Sequence, residues 1–383
     1  MSKIEATSMT ASPPMTEKSN EGKVFEIPSL DGIRAIAFMI VFMSHTRLNG
    51  VFPGGFGVTI FFFLSGYLIT TLLRREYERH GRISIPKFYL RRTLRIFPPL
   101  YATIILASLL VAFHVAPDHY YPGAICSNCL FFTNYYMIAD HDAVGYLLPG
   151  TGSLWSLAVE EHFYLMFPLL FVVLLKFVRS SKWQMVILAF LWLAISAWRC
   201  WLVYGEGMAV INYQRLSLAT DTRLDSILIG CILAIYGNPM YGNGLRSPTI
   251  WKWLLGFSVV ILLWSISWRN VELRESIRYS VQNLALIPVF YCAIRFPEWL
   301  VFRWLQWRAV RFVGVLSYSL YLTHQPIITT FHHLTSNPWI IEMGALLVTF
   351  FISWLFYLGI EKPSARLRTK LLEGNIRKSN ALP

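Results

Sequence analysis

Residues 29–49 read SLDGIRAIAFMIVFMSHTRLN. From residue 33 to residue 43 every side chain except Arg34 is apolar, and the run is entered through Asp31 and left through His45 and Arg47. Asp31 is a suitable residue to cap the start of a helix. Arg34 and His45 stand eleven positions apart. At 100° per residue that brings both side chains to one face, separated by roughly 16 Å of helical rise. An arginine and a histidine on one stripe of a membrane helix are costly unless they face a partner or a water-filled cavity. Taken singly, Arg34 reads equally well as a snorkelling interfacial residue and His45 as one at headgroup level. Their shared face directs the reading to a site.

The surrounding chain has the composition of a membrane protein. It is 383 residues long, 55% hydrophobic and 16% aromatic, with only 14% charged residues. Long apolar runs at that level point to an all-α, polytopic helical bundle and set domain counting by length aside. The net charge of +13 would suggest nucleic acid in a soluble protein. Here cytoplasmic loops rich in Lys and Arg explain it, and no nucleic-acid partner is expected. Five cysteines make no disulfide framework, and Cys200, Cys231 and Cys292 sit in apolar segments as small core residues.

Residues 1–28 lack periodicity and are rich in Ser, Thr, Pro, Glu and Lys, so they read as a disordered cytoplasmic tail without a signal-peptide cleavage pattern. After the opening stretch, further spans are expected at 57–73, 100–115, 154–178 and 183–204. A short one follows at 224–236, then others at 251–268, 277–294, 312–331 and 338–360. The 224–236 segment is short enough to read as re-entrant or tilted inside the bundle. Ten spans result, with one membrane domain over 29–363 and a basic cytoplasmic tail over 364–383.

The basic residues orient the bundle. Residues 116–152 form a long polar loop with no Lys or Arg, whereas the connectors at 74–95, 176–182, 238–252 and 295–311 and both tails are rich in them. The positive-inside rule therefore places both termini in the cytoplasm. Cys126 and Cys129 then lie outside, where a local disulfide or two idle thiols are more plausible readings than redox chemistry.

Several polar groupings survive inside the apolar chain. Arg92 and Arg95 are spaced i, i+3 and flanked by Arg91, so on a helix their planar forks share a face suited to phosphate. An anchor for anionic membrane lipid is the plainer reading of that charge. In SLWSLAVEEHFYL, Glu160, Glu161 and His162 are three ionisable groups in an apolar helix, with Tyr164 one turn beyond Glu160. Trp155 alone is more often an interfacial anchor. In SYSLYLTHQP, Tyr318, Tyr321 and His324 form a polar stripe that inter-helix hydrogen bonding would also explain. Glu361 beside Lys362 reads as an interfacial ion pair. No HExxH metal motif, Gly-rich phosphate loop or GxSxG elbow occurs. A lone histidine with nearby acids and hydroxyls fits general-base or acyl-transfer chemistry.

In order, SLDGIRAIAFMIVFMSH, GVTIFFFLSGYLITTLLRRE, FYLRRTLRIFPPLY, LWSLAVEEHFYL and SYSLYLTHQPI resemble the acyltransferase-3 family of bacterial inner-membrane proteins, which acylate sugars of polysaccharides, Nod factors or macrolides. The resemblance runs from about Ser29 to Pro363. It implies an acyl-CoA donor, acetyl-CoA first among candidates, and a carbohydrate acceptor. It implies Arg34, His45 and Glu160 as catalytic residues, His45 acting as general base or acyl carrier, and Arg92 and Arg95 as holders of the CoA phosphates. Ser65, Tyr67, Trp155, Tyr164, Tyr318, Tyr321, His324 and Glu361 would line the polar interior. No metal is implied. Thr59 departs from the pattern, since many members carry an acidic residue there. No SGNH-type hydrolase domain follows, so the chain would act alone or with a separate periplasmic partner. A transporter or flippase of a sugar or lipid-linked substrate would also line its path with buried ions, although such proteins often show internal repeats that this chain lacks.

Overall fold

The computed structural model describes residues 27–117, 121–139, 147–207, 213–241, 247–268 and 270–379, with side chains through residue 372. The tail expected to be disordered lies outside them but for its last two residues. Among the described residues the chain is helical throughout, with no strand.

The first helix, α1, spans Pro28–Ser44. It starts earlier than expected because Pro28 occupies the first helical position, where its fixed φ and missing N–H suit helix initiation. Ile27 is the cap, so Asp31 lies inside the first turn. Its carboxylate takes a 2.8 Å bond from Arg34 Nη1 instead of capping the helix. After a 3₁₀ turn at Arg47–Gly50 come α2 (Gly54–His80) and α3 (Ile85–Ala112). The basic stretch expected as a connector is therefore mostly helix, with only residues 81–84 between the two elements.

The described parts of the 116–152 segment are largely helical, where a polar loop was expected. They carry α4 (Pro122–Cys129), α5 (Thr133–Ala139) and a 3₁₀ turn at Thr151–Leu154. Asn128 ties them together, donating to Thr151 Oγ1 at 2.9 Å and accepting from Thr133 Oγ1 at 2.8 Å. Cys126 and Cys129 sit on α4 as free thiols, so the disulfide alternative is not what the fold adopts.

The chain continues through α6 (Trp155–Phe177), α7 (Ser181–Trp201, extended by a π turn at Leu202–Gly207), α8 (Tyr213–Leu218) and α9 (Thr220–Ile235). Then come α10 (Pro248–Ile266), α11 (Val271–Ser276), α12 (Arg278–Arg295), α13 (Leu300–Arg303) and α14 (Arg308–Leu334). Last are α15 (Ala345–Phe356) and α16 (Lys362–Ser379), with π turns at Ile340–Gly344 and Tyr357–Glu361 making one nearly continuous rod. Each expected span coincides with a helix. Among the described residues six helical stretches are long and apolar enough to cross a membrane, or up to seven if the bent pair of Arg278–Arg295 with Leu300–Gln306 is one span.

The bundle is organised on α2 and α9, its most extensive helix pair. Their backbones touch: a Cβ on Gly66 would overlap the Ile227 carbonyl, and one on Gly230 would overlap that of Phe63. Small residues at a crossing let helices approach closely enough for dispersion to hold them where no hydrophobic drive exists. α9, the short segment in question, is buried over all but three of its residues, with α2 and α7 as its main neighbours. Its charges are consequently met by protein: Asp225 Oδ2 accepts from buried Arg199 at 3.0 Å and from Asn283 at 3.0 Å. By contrast α7, α10 and α15 carry exposed Phe190, Trp253, Phe257, Leu347 and Phe351, the apolar periphery expected against lipid.

Candidate active site

Two cavities lie at opposite ends of α1. The larger, about 450 Å³, is lined by residues from the first half of α1 and from α2, α3, α6, α14 and α16. It brings together Arg34, Ser65, Arg92, Arg95, Glu160, Tyr164, Tyr318, Tyr321 and Glu361, all expected site residues.

Glu160 is the acid best defined by its partners. Ser65 donates to Oε1 at 3.0 Å and Tyr164 donates to Oε2 at 3.0 Å, so both carboxylate oxygens are held. The i, i+4 spacing places Tyr164 over its own turn, while Ser65 arrives from α2. Arg92 lies over the Tyr164 ring, 5.4 Å from its centroid, and 5.7 Å from that of Phe88. This stacking holds the guanidinium in place while its in-plane donors contact no carboxylate among the described residues. Glu361 accepts from Ser319 Oγ and faces the same cavity, which replaces the interfacial ion pair with Lys362. Tyr318 donates to the Ile96 carbonyl at 2.8 Å and so pins α14 to the arginine-bearing turn of α3.

The second cavity, about 410 Å³, is lined by Ser44, His45, Thr46, Arg47, Asn49, His332 and Glu342 among others. His45 stands just past the end of α1, its backbone N–H bonded to Phe42 O at 3.0 Å. Arg47 is clamped by Glu342 through its backbone N–H at 3.0 Å, Nε at 2.9 Å and Nη2 at 3.2 Å.

Tyr321 and His324, both expected residues, lead from the first cavity towards the second. Tyr321 lines the first cavity and shares a 2.6 Å bond with Ser156 Oγ. Its ring centroid is 5.5 Å from that of His324, which is in turn 5.3 Å from that of His45. His324 is fully buried, with Nδ1 2.6 Å from the Tyr321 carbonyl oxygen. A carbonyl only accepts, so the proton sits on Nδ1 and the lone pair of a neutral ring is on Nε2. Nε2 has no partner among the described residues.

Other expectations land elsewhere. Arg34 and His45 share a helix but face different cavities, because the apolar body of α1 packs against α2 and α14 between them. Tyr67 is buried in the α2–α9 contact, donating to Asn238 Oδ1 at 2.8 Å. Trp155 packs edge-on to Phe62 and lines neither cavity. His162, two positions after Glu160, bonds Thr220 Oγ1 at 2.7 Å and braces α6 against α9. Thr59 meets Arg223, whose Nη2 donates to its hydroxyl at 3.1 Å behind the cavity wall. Arg368 on the first cavity, and Asn49, His332 and Glu342 on the second, were not singled out from sequence. Only Arg368 carried a signal, seven positions after Glu361 and so on its face of a continuous helix. Among the described residues no cluster of His, Cys, Asp and Glu could hold a metal ion.

The comparisons bear on what this arrangement belongs to. The chain is 30% identical over 353 residues to the peptidoglycan O-acetyltransferase OatA of Listeria monocytogenes, covering 88% of this chain and 55% of the relative. It is 30% identical over 354 residues to the putative peptidoglycan O-acetyltransferase YrhL of Bacillus subtilis, covering 88% and 54%. Against the O-acetyltransferase OatA of Staphylococcus aureus the identity is 28% over 358 residues, covering 88% and 57%. The chain thus spans about half the length of the curated relatives it matches, and no solved structure matches it. The acyltransferase domain of the Acyl_transf_3 family matches residues 27–358, a segment holding both cavities except for Glu361, Lys362, Ala365 and Arg368. With the arginine pair, the braced glutamate and both histidines inside that match, this chain belongs to the Acyl_transf_3 acyltransferase family.

Proposed function

We propose that this chain is a membrane O-acyltransferase that moves an acetyl group from acetyl-CoA, held in the arginine-lined cavity, to a carbohydrate hydroxyl presented at the His45 cavity. The carrying observation is the pair of cavities at opposite ends of α1, joined through Tyr321, His324 and His45. One is built for phosphate, with guanidiniums at Arg92 and Arg95. The other offers hydroxyl, amide, imidazole and carboxylate groups, the mixed donors and acceptors that a sugar requires.

The arginine cavity belongs on the cytoplasmic side, because the start of α1, Arg92, Arg95 and α16 all meet there. Ten spans with both termini inside agree with that placement, since an even count returns the chain to its starting side, in a bacterial cytoplasmic membrane. In the reaction the acceptor oxygen forms a bond to the acetyl carbonyl carbon as the C–S bond of the thioester breaks. The hydroxyl proton ends on the CoA thiol. His45 serves as the base for that proton or as a transient acyl carrier, Arg34 polarises the donor end, and Glu160 orients the Ser65 and Tyr164 hydroxyls beside it. A glycan of the peptidoglycan type is the acceptor that the names of the relatives suggest, reached directly or through a separate extracytoplasmic partner.

Detergent-purified protein with radiolabelled acetyl-CoA and solubilised glycan strands tests this reading. Label should enter the glycan as an alkali-labile ester with stoichiometric release of CoA thiol. Thiol release without glycan labelling, or no protein-dependent release at all, would overturn it.

A further inference from the structure

The arginine cavity holds more positive charge than its own acids can balance. Five cationic side chains line it (Arg34, Arg92, Arg95, Lys362 and Arg368) against Asp31, Glu160 and Glu361. Each acid is already engaged: Asp31 with Arg34, Glu160 with Ser65 and Tyr164, and Glu361 with Ser319. Among the described residues Arg92, Arg95 and Arg368 form no ion pair. Arg95 feels the carboxylates of Glu160 and Glu361 without contacting either, and it is coupled to both Arg34 and Arg368. Guanidiniums gathered at partly desolvated positions repel one another, and an anion between them removes the cost.

Arg368 comes from an unexpected place. It lies ten positions beyond the end of the family match, in the segment expected to be a cytoplasmic tail. That segment is helical, and α16 packs against α3, the helix that carries Arg92 and Arg95. Glu361, Ala365 and Arg368 all line the cavity. Their i, i+4, i+7 spacing is one helical stripe. The π turn at Tyr357–Glu361 sets that stripe, because its extra residue rotates all that follows relative to α15. Arg366 and Lys370, on the same helix, stay exposed.

We infer that Arg368 is a third phosphate-binding guanidinium of this cavity, and that the C-terminal helix is a working wall of the donor site. The inference rests on the reading of the cavity as the site of a phosphorylated acyl donor. Its ligand chemistry is a phosphoester, which a CoA molecule or an anionic lipid headgroup could supply.

Calorimetric titration of the full chain with CoA, in zwitterionic detergent free of anionic lipid, tests the inference. Losing one charge-assisted contact in Arg368→Gln should weaken CoA binding roughly ten- to a hundredfold. Arg368→Lys should recover part of the loss, keeping the charge without the planar fork. Arg366→Gln, on the exposed face, should bind as the parent does. If the parent and Arg366→Gln bind CoA, Arg92→Gln weakens it and Arg368→Gln does not, the inference fails while the donor reading stands. If the parent binds no CoA, the donor reading itself fails. A parallel titration with phosphatidylglycerol micelles separates the sources: binding that depends on Arg368 for the lipid and not for CoA assigns the residue to a headgroup and overturns the proposal.

Discussion

Glu160, Glu161 and His162 are consecutive, yet each meets a different environment. Glu160 is held by two hydroxyls in the cavity, Glu161 Oε1 has no partner among the described residues, and His162 is spent on bracing α9. Rotation of 100° per residue is enough to separate a cavity-lining carboxylate from a tie between helices. The same reasoning divides His45 from the arginines. With His45 in one cavity and Arg95 in the other, their loss should be felt in different kinetic constants. Arg95→Ala should raise the KM for acetyl-CoA about ten- to a hundredfold, and high donor concentration should restore part of the rate. His45→Ala should lower kcat by roughly 10²–10⁴-fold with donor affinity near that of the parent. Steady-state kinetics with direct CoA titration would read both, and full turnover by His45→Ala would remove it from the chemistry. Cys126 and Cys129 are free thiols on α4, outside both cavities, so the double Ser variant should retain activity. Complete inactivity in well-folded double mutant would point to a thiol role.

At the scale of elements, the α2–α9 crossing carries the bundle. Gly230→Val would drive a branched side chain into the Phe63 carbonyl, with backbone rather than a flexible side chain in the way. Overpacking of that kind typically costs about 1–3 kcal/mol, so a marked fall in thermal midpoint by tryptophan fluorescence is expected. An unchanged midpoint would show that the helices can separate without loss. The same pair holds an opportunity for stabilisation. Arg223 is buried and stacked 3.8 Å from the Tyr279 ring centroid, but its Nε and Nη1 have no partner among the described residues. Among the described residues its one hydrogen-bond partner is the neutral Thr59 hydroxyl, with the Asp225 and Glu275 carboxylates farther off. Thr59→Asp exchanges side chains of similar size and puts a carboxylate beside the guanidinium. A bond to a charged group contributes about 1.5–3 kcal/mol, so the midpoint should rise. A fall would mean that Arg223 is already satisfied and that burying the new carboxylate dominates.

For the whole molecule, the test is sidedness. Single cysteines at Leu130 and Leu300, both exposed, should label from opposite sides in a background lacking the native cysteines. An impermeant reagent should reach Leu130→Cys in intact cells and Leu300→Cys only after permeabilisation, and the reverse would invert the bundle. Much of this was readable without coordinates. Apolar runs marked every long helix but the polar α16, because a chain in lipid must satisfy its backbone internally and so declares its helices by hydropathy. Local spacing also placed Arg92 beside Arg95 and Tyr164 beside Glu160, since neighbours within one helix are set by its period alone. That same period implied a shared site for Arg34 and His45, and there it misled, because a common stripe does not mean a common cavity. Only the tertiary structure decided that neighbouring helices divide that stripe, that Ser65 completes the hold on Glu160, that Tyr67 bonds Asn238 and His162 bonds Thr220, and that a π turn brings Arg368 into the arginine-lined cavity. Contacts between helices depend on the rotation and depth at which each one docks. Those are properties of packed surfaces far apart in sequence, and no spacing along one helix contains them.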